Sequence, residues 1–77
     1  MNQFQVQQYI TTTDGVAFEI ESSSDVQVTL EVEAGQEYKV FIDNTNVGMM
    51  KANLGGKLTL SVELSEGTAA AVRVKKQ

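Results

Sequence analysis

Apolar and polar residues alternate without a miss over Val26-Gln27-Val28-Thr29-Leu30-Glu31-Val32-Glu33 and again over Lys57-Leu58-Thr59-Leu60-Ser61-Val62-Glu63-Leu64. Successive side chains of a strand point to opposite faces, so a period of two marks a half-buried β-strand. Turn signals at regular spacing divide the rest of the chain the same way. Phe4 to Thr11 reads as a first strand, with Phe4, Val6 and Ile10 on one face. Asp14-Gly15 supplies a hairpin turn of residues that tolerate positive φ, and Val16, Phe18 and Ile20 follow on the buried face of a second strand, with Ala17, Glu19 and Glu21 outward. Ser22 to Asp25 is a polar loop into the strand at 26–33, and Ala34-Gly35-Gln36-Glu37 turns the chain into Tyr38 to Ile42. Asn53, Gly55 and Gly56 precede the strand at 57–64, and Ser65 to Thr68 precede Ala70, Val72 and Val74 of the last. No helical period occurs. The pattern predicts an all-β protein, a small antiparallel β-sandwich of about seven short strands, immunoglobulin-like or jelly-roll-like, in one domain over residues 1–77.

The fourth strand breaks the two-faced pattern. Tyr38, Val40 and Ile42 belong to the core face, which leaves Phe41 where the other strands carry Glu, Gln, Thr and Ser. Asp43-Asn44-Thr45-Asn46 reads as the next turn, and pairing Ile42 with Val47 puts Phe41 opposite Gly48 and Val40 opposite Met49. In that register the Phe41 ring covers the bare glycine backbone, an aromatic rescue. The same register sets Met50 and Ala52 on the outward face beside Phe41, and a contiguous patch containing Met marks an interface. The first strand is odd in another way, since residues 1–13 contain neither a charge nor a proline. Edge strands ordinarily carry such features or a bulge to discourage pairing with another chain. Either this strand is interior or covered, or its edge pairs with a partner, in which case Phe4, Val6 and Tyr9 join the contact surface.

At 77 residues folding buries only about 60% of the unfolded surface, so the core is used economically. The absence of cysteine rules out disulfides and thiolate ligands, and the absence of histidine removes the commonest general base and metal ligand. The net charge of −4 argues against nucleic acid, which requires clustered Lys and Arg. Residues 1–38 hold seven acids and no base, while residues 39–77 hold six bases and three acids, so the halves carry −7 and +3. Acidic and basic strands that neighbour each other within one fold explain this, and so does head-to-tail association between copies. Val28 to Glu33 also resembles Leu58 to Glu63, as two strands in equivalent places do.

No catalytic constellation emerges. Nucleophile–histidine pairs are impossible here, and Glu19/Glu21 and Glu31/Glu33 are i, i+2 carboxylates that form the solvated face of a strand. Asp43, Asn44, Thr45 and Asn46 offer oxygens to Ca²⁺ but lack EF-hand spacing, and turn chemistry accounts for them. Gly55-Gly56 opens no helix and reads as a turn rather than a phosphate loop. The expectation is a protein without catalytic residues, cofactor or metal. Met1 to Gln8 lacks the basic and apolar regions of a secretory signal, and no run reaches the roughly 18 apolar residues of a membrane span. Placement in the cytoplasm, or in a virion or surface assembly, follows as an expectation.

From Asp14-Gly15-Val16-Ala17-Phe18-Glu19-Ile20 onward the chain resembles the C-terminal β-domain of short clostridial proteins. The most specific stretches are Glu37 to Asp43, Asn46 to Lys51 and Asn53 to Leu58, and the likeness spans about residues 14–76. Such proteins are sometimes labelled endosialidase. Sialidases grip the substrate carboxylate with an arginine cluster, and this chain has only Arg73. The resemblance implies a β-domain and transfers no activity.

The sequence therefore points to a non-enzymatic β-sandwich that self-associates or docks on a larger assembly such as a surface layer or a phage particle. Its expected contact residues are Phe41, Met50, Ala52, Phe4, Val6 and Tyr9. The alternative is a carbohydrate-binding module with Tyr9, Tyr38 or Phe41 as stacking platform and Asn44 and Asn46 as hydrogen-bonding groups.

Overall fold

Seven strands follow one another without a helix among the described residues: β1 (Phe4–Thr12), β2 (Gly15–Ser22), β3 (Val26–Glu31), β4 (Glu37–Ile42), β5 (Thr45–Lys51), β6 (Lys57–Val62) and β7 (Ala69–Lys76). The computed structural model of the chain describes residues 4–77, and of Phe4 only the backbone. Every pairing is antiparallel. β1-β2-β7-β4-β5 form a five-stranded sheet, and β3-β6 form a two-stranded one. The chain crosses between sheets after β2, β3, β5 and β6, so each sheet lends alternate residues to one core. That core joins Phe18, Ile20, Tyr38, Val40, Val72 and Val74 of the larger sheet to Val26, Leu30, Leu58, Leu60 and Val62 of the smaller. Ile20 is fully buried and Leu58, Val40, Val62, Val72 and Val74 nearly so. Each such side chain contributes about 1.5–3 kcal/mol by leaving water. The architecture is the small β-sandwich that the alternation predicts.

The two most regular strands turn out to be partners. Val28 lies opposite Leu60 and Leu30 opposite Leu58, so the likeness between the two segments is that of paired strands sharing one buried face. Both end two residues early. Val32 donates its N–H to the Gly56 carbonyl at 2.7 Å, and Leu64 donates its own to the Asp25 carboxylate at 2.9 Å.

Two turns differ from the expected ones and change the registers that follow. The first hairpin turns at Thr13-Asp14, with Thr12 opposite Gly15. Gly15 is already in β2, where a Cβ would sit 1.9 Å from the Val74 carbonyl oxygen. The glycine is needed for close approach to β7 rather than for the turn itself. The second hairpin uses only Asp43-Asn44, at φ of 52° and 67°, a type I′ turn that suits the twist of its strands. Ile42 then pairs with Thr45, Phe41 with Asn46, Val40 with Gly48 and Tyr38 with Met50, the slip falling between Val40 and Phe41. The expected pairing of Ile42 with Val47 is therefore corrected, and with it the covering of Gly48 by Phe41.

A bulge reshapes β1 as well. The register jumps between Gln7, opposite Glu19, and Ile10, opposite Ala17, with Gln8 in the left-handed region at φ 53°. The extra residue moves Ile10 to the outward face, while Val6 remains opposite the buried Ile20. Val6 and Ile10 thus do not share a face, and the Phe4 side chain lies outside the described residues. β1 is an edge strand, and the bulge supplies the protection that its uncharged sequence lacks.

Candidate functional site

The smaller sheet is too narrow to cover the larger. β1 and β5, at opposite edges, have no buried residue among those described. On the core-facing side this leaves Val6 41% exposed opposite Ile20, and Met50 38% exposed opposite Tyr38. Tyr9 stacks on the buried Phe18 ring with centroids 5.8 Å apart, closing the core at the β1 margin, yet remains 51% exposed. These margins carry apolar surface that nothing in the described chain covers.

The outward face of the larger sheet is built from four registers that link its five strands. Ile10, Ala17, Arg73, Phe41 and Asn46 form one row across the sheet. Two adjoining shallow depressions share Ile10, Ala17, Phe41 and Arg73 in their walls. Phe41 is half-buried because the Arg73 guanidinium lies over its ring, 4.8 Å from the centroid. Ile10 and Met49 stand on the same face, more than half exposed. Two registers therefore changed the expected contact set. Phe41 is outward as expected, but Met50 faces the core side and Ala52 is 2% exposed within the core. The patch of Phe41, Met50 and Ala52 does not exist as one surface. Val6 and Tyr9 lie at the β1 margin, and the Phe4 side chain falls outside the described residues.

The reasoning from sequence missed Ile10, Met49 and Leu54. Ile10 and Met49 were hidden by the two bulges, of which only the second has a marker, Gly48 within its strand at φ 129°. Leu54 is 91% exposed at the tip between β5 and β6. Its signal was present, an apolar residue between turn formers.

The polar groups are largely occupied by the backbone. Asp43 Oδ1 accepts the Ala71 N–H at 3.0 Å while the Asp43 N–H donates to the Ala71 carbonyl at 2.8 Å. Asn46 Oδ1 accepts the Gly48 N–H at 2.8 Å, and Asn53 Oδ1 accepts those of Gly55 and Lys57. Asp25, Asp43 and Glu63 line one further depression, but among the described residues no three acidic groups converge as a metal site would require. Tyr38 is buried, its hydroxyl accepting the Glu33 N–H at 3.0 Å, which leaves no ring face open for stacking.

Charge pairs explain part of the asymmetry between the halves. Lys57 bonds Glu31 directly across β3-β6, and Lys76 bonds Glu33. The Lys57 hydrogen bond and charge hold the Glu31 carboxyl below its ordinary value, and the Glu33 hydrogen bond and charge raise Lys76. Glu37 stands opposite Lys51. The remaining bases do not follow this rule, since Lys39 stands opposite Lys75 on the outward face, next to Arg73. No family model matches the chain, and neither does any curated protein or solved structure.

Proposed function

We propose that the chain is a non-catalytic interaction module, which self-associates or docks onto a larger assembly such as a surface layer or a phage particle. The observation that carries this reading is the mismatch between five strands and two. A two-stranded sheet leaves Val6, Tyr9 and Met50 exposed at the margins of the same face whose centre is the core. A chain of this length has little apolar surface to spare, and exposed apolar side chains gathered at margins and on one sheet face are the usual mark of contact with another molecule. Light scattering over a concentration series, with crosslinking to candidate assembly proteins, tests it. Self-association, or a specific crosslink to one of those proteins, supports the reading. A wild type that is monomeric throughout and crosslinks to nothing contradicts it.

A carbohydrate-binding module is the second reading, favoured by the exposed ring of Tyr9 and by the depressions where Arg73, Glu19 and Asn44 surround Phe41. Binding of a glycan array that is lost in Tyr9→Ala would support it, and an array without a hit would dispose of it.

A further inference from the structure

The two outward faces of this molecule follow different rules. On the smaller sheet the outward residues are Gln27, Thr29 and Glu31 against Ser61, Thr59 and Lys57. Thr29 and Thr59 hydrogen-bond through their hydroxyls at 3.1 Å, and Glu31 pairs with Lys57. That is a finished solvent face, with complementary cross-strand pairs. On the larger sheet Lys39 is set directly opposite Lys75 with Arg73 adjacent. Among the described residues the ion pairs within 4 Å are those of Lys57 and Lys76, so none of these three has an acidic partner. Like charges directly opposed destabilise a sheet. In a chain of net charge −4 such a cluster calls for a countercharge from outside.

Resting on the reading of the chain as an interaction module, we infer that the outward face of the larger sheet is the interface of a two-fold dimer, its occupant a second copy of this chain. The registers supply the symmetry. Along β2, β7 and β4 the row Ala17–Arg73–Phe41 lies midway between a row holding Gly15, Lys75 and Lys39 and one holding Glu19, Ala71 and, at the turn, Asp43. A half-turn about an axis along the middle row exchanges these outer rows. Lys39 of one copy then meets Asp43 of the other, and Lys75 meets Ala71 beside Glu19. Two of the long side chains face small ones, Lys75 over Ala71 and Glu19 over Gly15, which favours close packing of the two faces. Arg73 meets its own copy near the axis, where its guanidinium is drawn aside over Phe41. Ile10 and Met49, both exposed, lie on the covered face.

Charge selects a second copy over a polyanion. Glu19 and Glu21 stand outward on the same face and would repel nucleic acid or a sulfated glycan, whereas a copy of the chain brings both signs in the reversed order.

The test is charge reversal and its repair, followed by sedimentation of the full chain. The wild type is expected to dimerise, more weakly as salt rises. Lys75→Glu, and separately Glu19→Lys, each weaken self-association by roughly a hundredfold, while an equal mixture of the two variants dimerises again. Restoration on mixing also shows that both variants are folded. A wild-type dimer indifferent to these changes overturns this interface and leaves the interaction reading standing. A wild type monomeric at every concentration overturns the interface and self-association with it, and retention of that monomer on a sulfated resin through Lys39 and Lys75 would assign the cluster to a polyanion instead.

Discussion

Arg73 and Phe41 are cross-strand neighbours on β7 and β4, and the guanidinium lies over the ring at 4.8 Å from its centroid. The aromatic that interrupts the alternation of β4 is thus accommodated by a cation on the next strand rather than by a glycine. An exposed cation–π contact is worth about 0.5–1 kcal/mol. Arg73→Gln is expected to lose about that much, and a double-mutant cycle with Phe41→Leu, followed by urea unfolding at low protein concentration, should return a coupling of similar size. A cycle with no coupling would mean that the ring and the cation are merely adjacent.

Ala52 and Met50 are two residues apart and differ sharply in burial, at 2% and 38% exposed. Placing a carboxylate at 52 buries an unpaired charge, so Ala52→Glu is expected to cost on the order of 3 kcal/mol or more. Met50→Glu is expected to cost less than about 1 kcal/mol. Urea midpoints distinguish them, and equal losses at the two positions would contradict the register of β5.

Gln8 carries the β1 bulge in a left-handed conformation. Glycine adopts that conformation without strain, whereas a β-branched residue does not. Gln8→Gly should therefore raise stability or leave it unchanged, and Gln8→Val should lower it by about 1–2 kcal/mol. If Val is tolerated as well as Gly, the bulge lies elsewhere.

The two surface ion pairs set opposite pH limits. Glu31 has a native pKa below its ordinary 4.5, so its contribution is complete above that value and fades as pH falls through the lowered native one. Lys76 is raised above 10.5, so its contribution is complete below that value and fades as pH rises through the raised native one. The stability difference between wild type and Glu31→Gln should vanish in acid, and that for Lys76→Met in alkali. Both effects should be small and shrink with added salt, since the pairs are exposed. A Glu31→Gln difference that persists at low pH would rule out the ion pair as its source.

The core was legible in the sequence because every second residue of β2, β4, β6 and β7 had to be apolar for two sheets to close. Phe18, Ile20, Val40, Leu60 and Val72 could be placed by counting alone. The outward surfaces were less legible, and the reason is physical. A slip of one residue moves a side chain to the other face of a sheet, and two such slips, at Gln8-Tyr9 and at Val47, decide where Ile10, Met49 and Met50 point. Gln8 is neither Gly nor Asn, and Gly48, at φ 129°, marks the second bulge without saying which neighbour it leaves unpaired. The opposition of Lys39 and Lys75 was invisible for a different reason, because it depends on β7 inserting between β2 and β4, a fact of topology and not of periodicity.

Dilution followed residue by residue through backbone amide chemical shifts tests the two-fold interface, since it reports where copies of the chain touch without altering any of them. Shifts that move with concentration are expected at Ile10, Ala17, Lys39, Phe41, Ala71 and Lys75, with Gln27, Thr29, Thr59 and Ser61 unchanged. Spectra that are the same at every concentration, or changes confined to the outward side of β3 and β6, would contradict it.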